Sequence, residues 1–220
     1  MKKAVFLTLC FLLLAVLLAG CGSSGGETAA EAPEPAEQGI VGSWTADIDM
    51  SGFLNEALAE DEEIGKYLTL DSFTIQLLAD FGGDGTYSIR CDPDSAKAAL
   101  DSLKEQMKGA LTHYLEDIAK ESGLDLTAEE LMEQAGITMD DLLSEMDEAY
   151  SAEDMVSDME LSGKYLFEDG KLALSESPET DPDPEDALTV TLEGDVLTLT
   201  GGGENSHFQG LYPVVFHRGN

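Results

Sequence analysis

Basic side chains are scarce in this chain, which has 11 lysines and arginines against 45 aspartates and glutamates, and a formal net charge of -34. Phosphate backbones and anionic lipid head groups repel a surface of this sign. The charge therefore excludes nucleic acid as a partner and argues against direct adhesion to an anionic membrane surface. The simplest consequence of this charge is that the protein molecules repel one another and stay in solution.

Motifs that carry catalysis or bind metals are also missing. The chain has no Gly-x-Ser-x-Gly elbow, no phosphate-binding loop and no His-Glu-x-x-His pair. Its three histidines, His113, His207 and His217, are not spaced as a metal triad. Residues 47–52 are similar to the start of a calcium-binding loop, but the twelfth position, which should supply a glutamate, is Leu58. We therefore expect a protein that is not an enzyme and has no cofactor and no metal.

Cysteine is rare, and its three positions exclude an internal disulfide in a processed chain. Cys10 lies in an apolar amino-terminal segment, Cys21 ends that segment, and Cys91 stands alone in the rest of the sequence. An oxidising compartment normally uses cysteines in pairs. Cys91 falls in an alternating apolar run, so we expect it to be a small buried hydrophobic residue.

The amino terminus has the pattern of a secretory signal peptide. Lys2 and Lys3 precede an uncharged apolar stretch over residues 4–20. Leu18-Ala19-Gly20-Cys21 then resembles the lipobox of bacterial lipoproteins. The resemblance implies cleavage of residues 1–20 and transfer of lipid to Cys21, which would hold the chain on the outer face of the cell membrane. The alternative is an uncleaved transmembrane helix, because 17 uncharged residues are near the lower limit for spanning a bilayer.

The segment from residue 21 to 39 is predicted to be a lipidated, disordered tether. It is rich in Gly, Ser, Ala, Glu and Pro and cannot bury enough apolar surface to fold. A flexible chain of this length has an end-to-end distance of roughly 25 Å, which is enough to clear the lipid head groups.

From residue 40 onward, apolar and polar residues alternate with the period of two that indicates strands with one buried face. Two turns fix the register of their hairpins. A two-residue Asp169-Gly170 turn pairs Phe167 with Leu172, and a Gly194-Asp195 turn pairs Leu192 with Leu197. The sequence predicts eight strands, at 41–50, 70–81, 86–91, 161–168, 171–176, 187–193, 196–200 and 210–217.

The period changes to that of helices over residues 93–159. Apolar residues from Leu100 to Ile118 recur at spacings of three and four, which predicts a helix that starts near Pro93 and ends near Gly123. Thr127 and Thr138 each precede an acidic residue by three positions, which predicts the starts of two further helices. We therefore expect an acidic helical insertion in an otherwise antiparallel β domain of residues 40–92 and 160–220.

Gly42-Ser43-Trp44 on the first strand and Arg218 at the end of the last one resemble the signature of lipocalin-like domains. The chain is similar in this respect to the small lipocalin-like domains of uncharacterised Gram-positive lipoproteins. The resemblance implies a mainly β (α+β) fold, with an antiparallel eight-stranded barrel or curved meander beside the acidic helices. It also implies a cation–π pair between Trp44 and Arg218.

Within such a fold, the expected function is binding of an apolar or peptidic ligand outside the cytoplasm. The candidate ligand-binding residues are five aromatic residues of the predicted strands: Trp44, Phe73, Tyr87, Tyr165 and Phe167. The alternative is a structural or interaction role in which a partner protein docks on the helical insertion. Six of the eight methionines lie in that insertion and its flanks, where they would fill an irregular core or line a partner groove.

Overall fold

Eight antiparallel strands form a closed barrel in which each strand pairs with its neighbours in sequence and the first pairs with the last. A computed structural model describes residues 39–60, 65–202 and 208–219, without the side chains of 145–149. The strands are β1 (Gly42–Asp49), β2 (Thr74–Phe81), β3 (Thr86–Cys91), β4 (Leu161–Glu168), β5 (Lys171–Ser175), β6 (Leu188–Glu193), β7 (Val196–Gly201) and β8 (Val214–Arg218). The predicted fold class, a lipocalin-like barrel with a helical insertion, is confirmed.

The barrel follows from the alternation along its strands. In β3, Tyr87, Ile89 and Cys91 are buried while the residues between them are more exposed. In β8, Val214 and Phe216 are buried on the two sides of an exposed Val215. In a closed barrel, alternate residues face the interior, so apolar side chains meet inside and polar ones face water.

The two predicted hairpins have the expected register. Phe167 pairs with Leu172 across the turn at Asp169 and Gly170, both of which have positive φ. Leu192 pairs with Leu197 across the second turn, where Gly194 also has positive φ. Such tight turns suit the right-handed twist of antiparallel strands and fix which face of each strand is buried.

Short and long connections lie at opposite ends of the barrel. The tight turns after β2, β4 and β6 are at one end, together with the start of β1 and the end of β8. The connections after β1, β3, β5 and β7 all leave from the other end, and two of them contain the helices. We call the end with the tight turns the hairpin end, and its connections between strands are all short.

The described residues contain five α-helices, two more than the sequence predicted. They are α1 (Ser51–Ala59), α2 (Pro93–Glu121), α3 (Ala128–Ala135), α4 (Met139–Ala149) and α5 (Ala152–Asp158). The prediction missed α1, which follows β1 directly and buries only Leu54 and Leu58 on one side, too few positions to show a helical period. It also missed α5, whose seven residues are too short for a periodic pattern.

Acidic side chains start three of these helices. Thr127 with Glu130, Thr138 with Asp141 and Ser151 with Asp154 form reciprocal capping interactions at α3, α4 and α5. Hydrogen bonds from Thr138 and Ser151 to the ionised forms lower the pKa of Asp141 and Asp154 below 3.8. The ionised carboxylates therefore stabilise the folded protein above about pH 4, and this stabilisation is lost as the pH falls through the lowered pKa values.

The second strand is four residues shorter than predicted. It begins at Thr74 rather than at residue 70, because the backbone before it is held by side chains instead of a neighbouring strand. Leu70 N–H donates to Asn55 Oδ1 at 2.7 Å, and Asp71 N–H donates to Gln106 Oε1 at 2.7 Å. The last strand likewise begins after Pro213, which has no N–H to donate, and not at residue 210.

The described residues fall into two compact units. One contains residues 49–74 and 96–155, with a core built around Leu54, Leu58 and Leu103. The other contains residues 39–48, 75–95 and 156–219, and this barrel unit holds nearly all the strand residues. Residues 49–74 thus group with the helical segment, although their sequence had been assigned to the β domain.

No helix among the described residues is long and apolar enough to cross a membrane. The predicted signal peptide, the lipidation site Cys21 and the tether up to residue 38 lie outside the described residues, so these three remain predictions.

Candidate functional site

Trp44 is the largest fully buried side chain and lies near the hairpin end of the barrel. It is 1% exposed, and its indole N–H donates to the carbonyl oxygen of Ile40 at 2.8 Å. A buried indole needs such a partner for its single donor. The bond also ties the chain that enters β1 to the ring.

Arg218 covers this ring from the last strand. Its guanidinium carbon lies 4.2 Å from the centroid of the Trp44 ring, within the range of a cation–π interaction. Nη1 and Nη2 each donate to a backbone carbonyl at 2.9 Å, those of Val41 and Gly39. Nε pairs with the carboxylate of Asp195 at 3.2 Å. One side chain thus joins β8, the chain before β1 and the β6–β7 turn.

Gly42 has to be a glycine for this arrangement. Its φ is +128°, a conformation that other residues rarely adopt. A Cβ at this position would lie 3.0 Å from Nη1 of Arg218, which is closer than normal packing. The backbone therefore favours glycine at position 42, and a side chain there would also displace the Arg218 guanidinium by a few tenths of an ångström.

Three of the predicted ligand-binding aromatics, Tyr87, Tyr165 and Phe167, are buried on β3 and β4. The prediction missed Phe81, which joins two of them. Its ring stacks on Tyr87 at 6.3 Å between centroids and meets Tyr165 edge-on at 5.1 Å. Phe81 is the last residue of an alternating strand, so the same alternation that selected Phe73 could have selected it. We call Phe81, Tyr87 and Tyr165 the aromatic cluster.

The two tyrosines of the aromatic cluster stay neutral over the physiological range. Burial, with a smaller contribution from the negative charge of Glu176, raises the pKa of Tyr87 to about 12. Burial and then the charge of Asp84 also raise the pKa of Tyr165. The Tyr165 hydroxyl donates to the carbonyl of Gly82 at 2.8 Å. Both phenols are therefore hydrogen-bond donors in an apolar surrounding that carries nearby negative charge.

The fifth predicted aromatic, Phe73, belongs to the other compact unit. It precedes β2, where its carbonyl accepts from Met50 N–H at 2.8 Å and its own N–H donates to Asp49 Oδ1 at 3.3 Å. Phe73 is buried, but it does not belong to the same unit as the other four predicted aromatics.

The sequence did not predict that the backbone at the end of β5 approaches β4 closely beside Tyr87. Gly163 pairs with Tyr87 across β3 and β4, and a Cβ on Gly163 would overlap the carbonyl oxygen of Ser175. The buried Ser175 hydroxyl donates to the carbonyls of Thr180 at 2.7 Å and Ser177 at 2.9 Å. These bonds fold the chain after β5 back over β4. Only the presence of a glycine inside a strand indicated such a close approach in the sequence.

Nothing in the described part of the chain groups three or more His, Cys, Asp or Glu side chains as a metal site. Cys91 is a buried free thiol, and burial raises its pKa, which makes it unreactive. In the calcium-like segment, Asp47 accepts from Gln76 Nε2 and Asp49 from Ser51 N–H, both at 2.9 Å. His207 lies outside the described residues.

Comparisons with protein-family models, with curated proteins and with solved structures find no match to this chain. The fold class is therefore defined by the barrel itself.

We predict that Gly42→Ala destabilises the protein, because Ala is strained at φ +128° and its methyl group meets Arg218. The expected loss is about 1–3 kcal/mol in the free energy of urea unfolding, followed by circular dichroism. The matched control is Gly109→Ala in α2, where an added Cβ meets nothing within 4 Å. This control should stabilise the protein by roughly 0.5–1 kcal/mol, since Ala favours helix interiors. Equal effects of the two substitutions would contradict the role of Gly42.

Proposed function

We propose that this chain is a lipoprotein, held on the outer face of a bacterial cell membrane by lipid on Cys21, whose barrel binds an apolar or peptidic ligand without transforming it. The anchoring rests on Leu18-Ala19-Gly20-Cys21 after an apolar segment. Two or three acyl chains hold a protein on a membrane where one chain binds only reversibly.

The observation that carries the binding proposal is the closed barrel with an apolar, aromatic interior. Among the described residues, Ser175 is the only buried polar side chain, and its hydroxyl is bonded to backbone carbonyls. Trp44, Phe167 and the aromatic cluster supply rings from four different strands. Binding sites for small molecules have this composition, in which a mostly apolar wall carries a few polar groups such as the tyrosine hydroxyls.

We predict that Cys21→Ala releases the protein from the membrane fraction or leaves it unprocessed, because the acceptor of lipid is removed. The control is Cys10→Ala, which keeps the signal segment apolar and should leave anchoring unchanged. Cell fractionation with mass spectrometry measures both variants. Recovery of an unlipidated Cys21 from membrane-bound wild-type protein would contradict the anchoring.

We predict that the barrel binds the uncharged probe N-phenyl-1-naphthylamine at one site per chain, with a blue shift and rise in probe fluorescence. The chain from residue 21 onward with Cys21→Ser avoids the detergent that a lipidated protein needs. Phe167→Leu should weaken binding several-fold because it removes a ring from the interior. Val215→Ala is the control, because Val215 is 38% exposed between two buried neighbours of β8. Absence of saturable binding to the folded protein would contradict the proposal.

A second candidate function is docking of a partner protein on the helical insertion. Leu124 and Ile137 are 45% and 39% exposed, and each follows a left-handed glycine that ends a helix. The chain has no lysine or arginine between Lys120 and Lys164. A cationic partner with an apolar surface would suit these features, and a barrel that binds no probe would favour this second function.

A further inference from the structure

The apolar side of α4 is not buried. Its described apolar side chains, Met139, Leu142 and Leu143, recur at spacings of three and four and therefore lie on one side of the helix. Each of them is only half-buried, and no described side chain of α4 is buried. The other four α-helices each bury at least one apolar side chain. Among the described residues, α4 is thus the amphipathic helix whose apolar side has no complete cover.

Ile137 extends this apolar surface beyond the start of the helix. It is 39% exposed and directly precedes the capping residue Thr138. The spacing from Ile137 to Leu142 is that of a hydrophobic staple, which brings the residue before the cap to the same side as the fourth helical residue. The N–H of Ile137 donates to the carbonyl oxygen of Met132 at 3.1 Å, which fixes its place after α3. The four apolar residues that we call the α4 face are Ile137, Met139, Leu142 and Leu143.

The charges of this part of the chain are all negative. The sequence has 14 aspartates and glutamates and no lysine or arginine over residues 121–163. Glu130 and Asp141 are used to cap helices. Glu133 and Asp140 are exposed, and among the described residues their side chains form no ion pair or hydrogen bond. These two carboxylates, which are close in sequence to the α4 face, are therefore available to cations of a partner.

This charge determines which partner fits the α4 face. A second copy of the chain carries the same negative charge, and an anionic lipid surface is also negative, so both are repelled. A partner that covers the apolar side chains and has lysine or arginine at its margins pairs with the carboxylates as well. A cationic amphipathic helix has this pattern, because cations lie on both sides of its apolar stripe.

We propose that the α4 face docks a cationic amphipathic helix of a partner protein. This inference rests on the second candidate function, for which it names the docking surface and the chemistry of the partner. The apolar stripe of the partner helix covers the α4 face, and its cations pair with the free carboxylates beside that face.

The probe for this surface is a peptide of about 18 residues, or five helical turns, with leucine and lysine at helical spacing. It is labelled and titrated with the Cys21→Ser chain at about 0.15 M salt, and fluorescence anisotropy measures binding. We expect saturable binding at one site per chain. A peptide of the same composition in scrambled order, which has no apolar stripe, should bind at least about tenfold more weakly. Equal binding of the two peptides would overturn the inference, because net charge alone would then account for it.

Substitutions on the α4 face separate this surface from the charge of the whole chain. Ile137→Gln and Leu143→Gln should each weaken binding of the ordered peptide at least about threefold, because each replaces an apolar contact with a polar group. The matched control is Val215→Gln in the barrel unit, since Val215 is 38% exposed and Ile137 is 39% exposed. This control should leave the affinity unchanged, and circular dichroism checks that all three variants are folded. Equal losses in Ile137→Gln and Val215→Gln would overturn the assignment of the α4 face.

Leu124→Gln distinguishes a wrong surface from a wrong function. Leu124 is 45% exposed and follows α2, so it belongs to the same helical insertion but not to the α4 face. If Leu124→Gln weakens binding of the ordered peptide and Ile137→Gln does not, the α4 face is overturned while docking on the insertion stands. If the ordered peptide does not bind to the parent chain, both this inference and the docking of a cationic partner are overturned.

Discussion

The guanidinium of Arg218 over the ring of Trp44 is the interaction on which the barrel depends. Trp44 and Arg218 are paired residues of the first and last strands, so the contact lies at the seam where the sheet closes on itself. Without that seam, β1 and β8 would be open edges with unpaired backbone groups. The same side chain fixes the entering chain through the carbonyls of Gly39 and Val41, and a side chain on Gly42 would displace it.

Closure of the sheet at this seam determines which side chains face the barrel interior and where insertions can occur. A closed barrel has one interior, and the alternation along its strands lines that interior with apolar side chains, including the aromatic cluster. The tight turns are at one end of the barrel, and the chain leaves for its helical segments from the other end, so these segments interrupt no strand pairing. Acidic residues of the insertion have a structural use of their own, since Glu130, Asp141 and Asp154 cap the starts of α3, α4 and α5. The net charge of -34 is thus compatible with ordered helices.

Sequence reasoning succeeded where local chemistry determines the structure. The hairpins at Asp169-Gly170 and Gly194-Asp195, and the capping residues Thr127 and Thr138, are each specified within a few residues. It failed where side chains distant in sequence determine the backbone conformation. At residues 70 and 71, the backbone N–H groups donate to Asn55 and Gln106 instead of to a neighbouring strand. The Trp44 and Arg218 pair was expected from a family resemblance, since no local pattern links residues so far apart. The close approach of the Ser175 carbonyl to Gly163 depends on tertiary packing, so almost nothing in the local sequence indicates it.

The seam is tested most directly by a double-mutant cycle of Trp44→Ala and Arg218→Ala, with the free energy of unfolding measured in urea. Trp44→Ala alone should cost about 3–5 kcal/mol, because it removes a fully buried aromatic ring. Arg218→Ala should cost on the order of 0.5–2 kcal/mol. If the guanidinium acts through the ring, the double variant should lose less than the sum of the two, by at least about 0.5 kcal/mol. Additive losses would show that the two residues stabilise the barrel independently and would contradict the account.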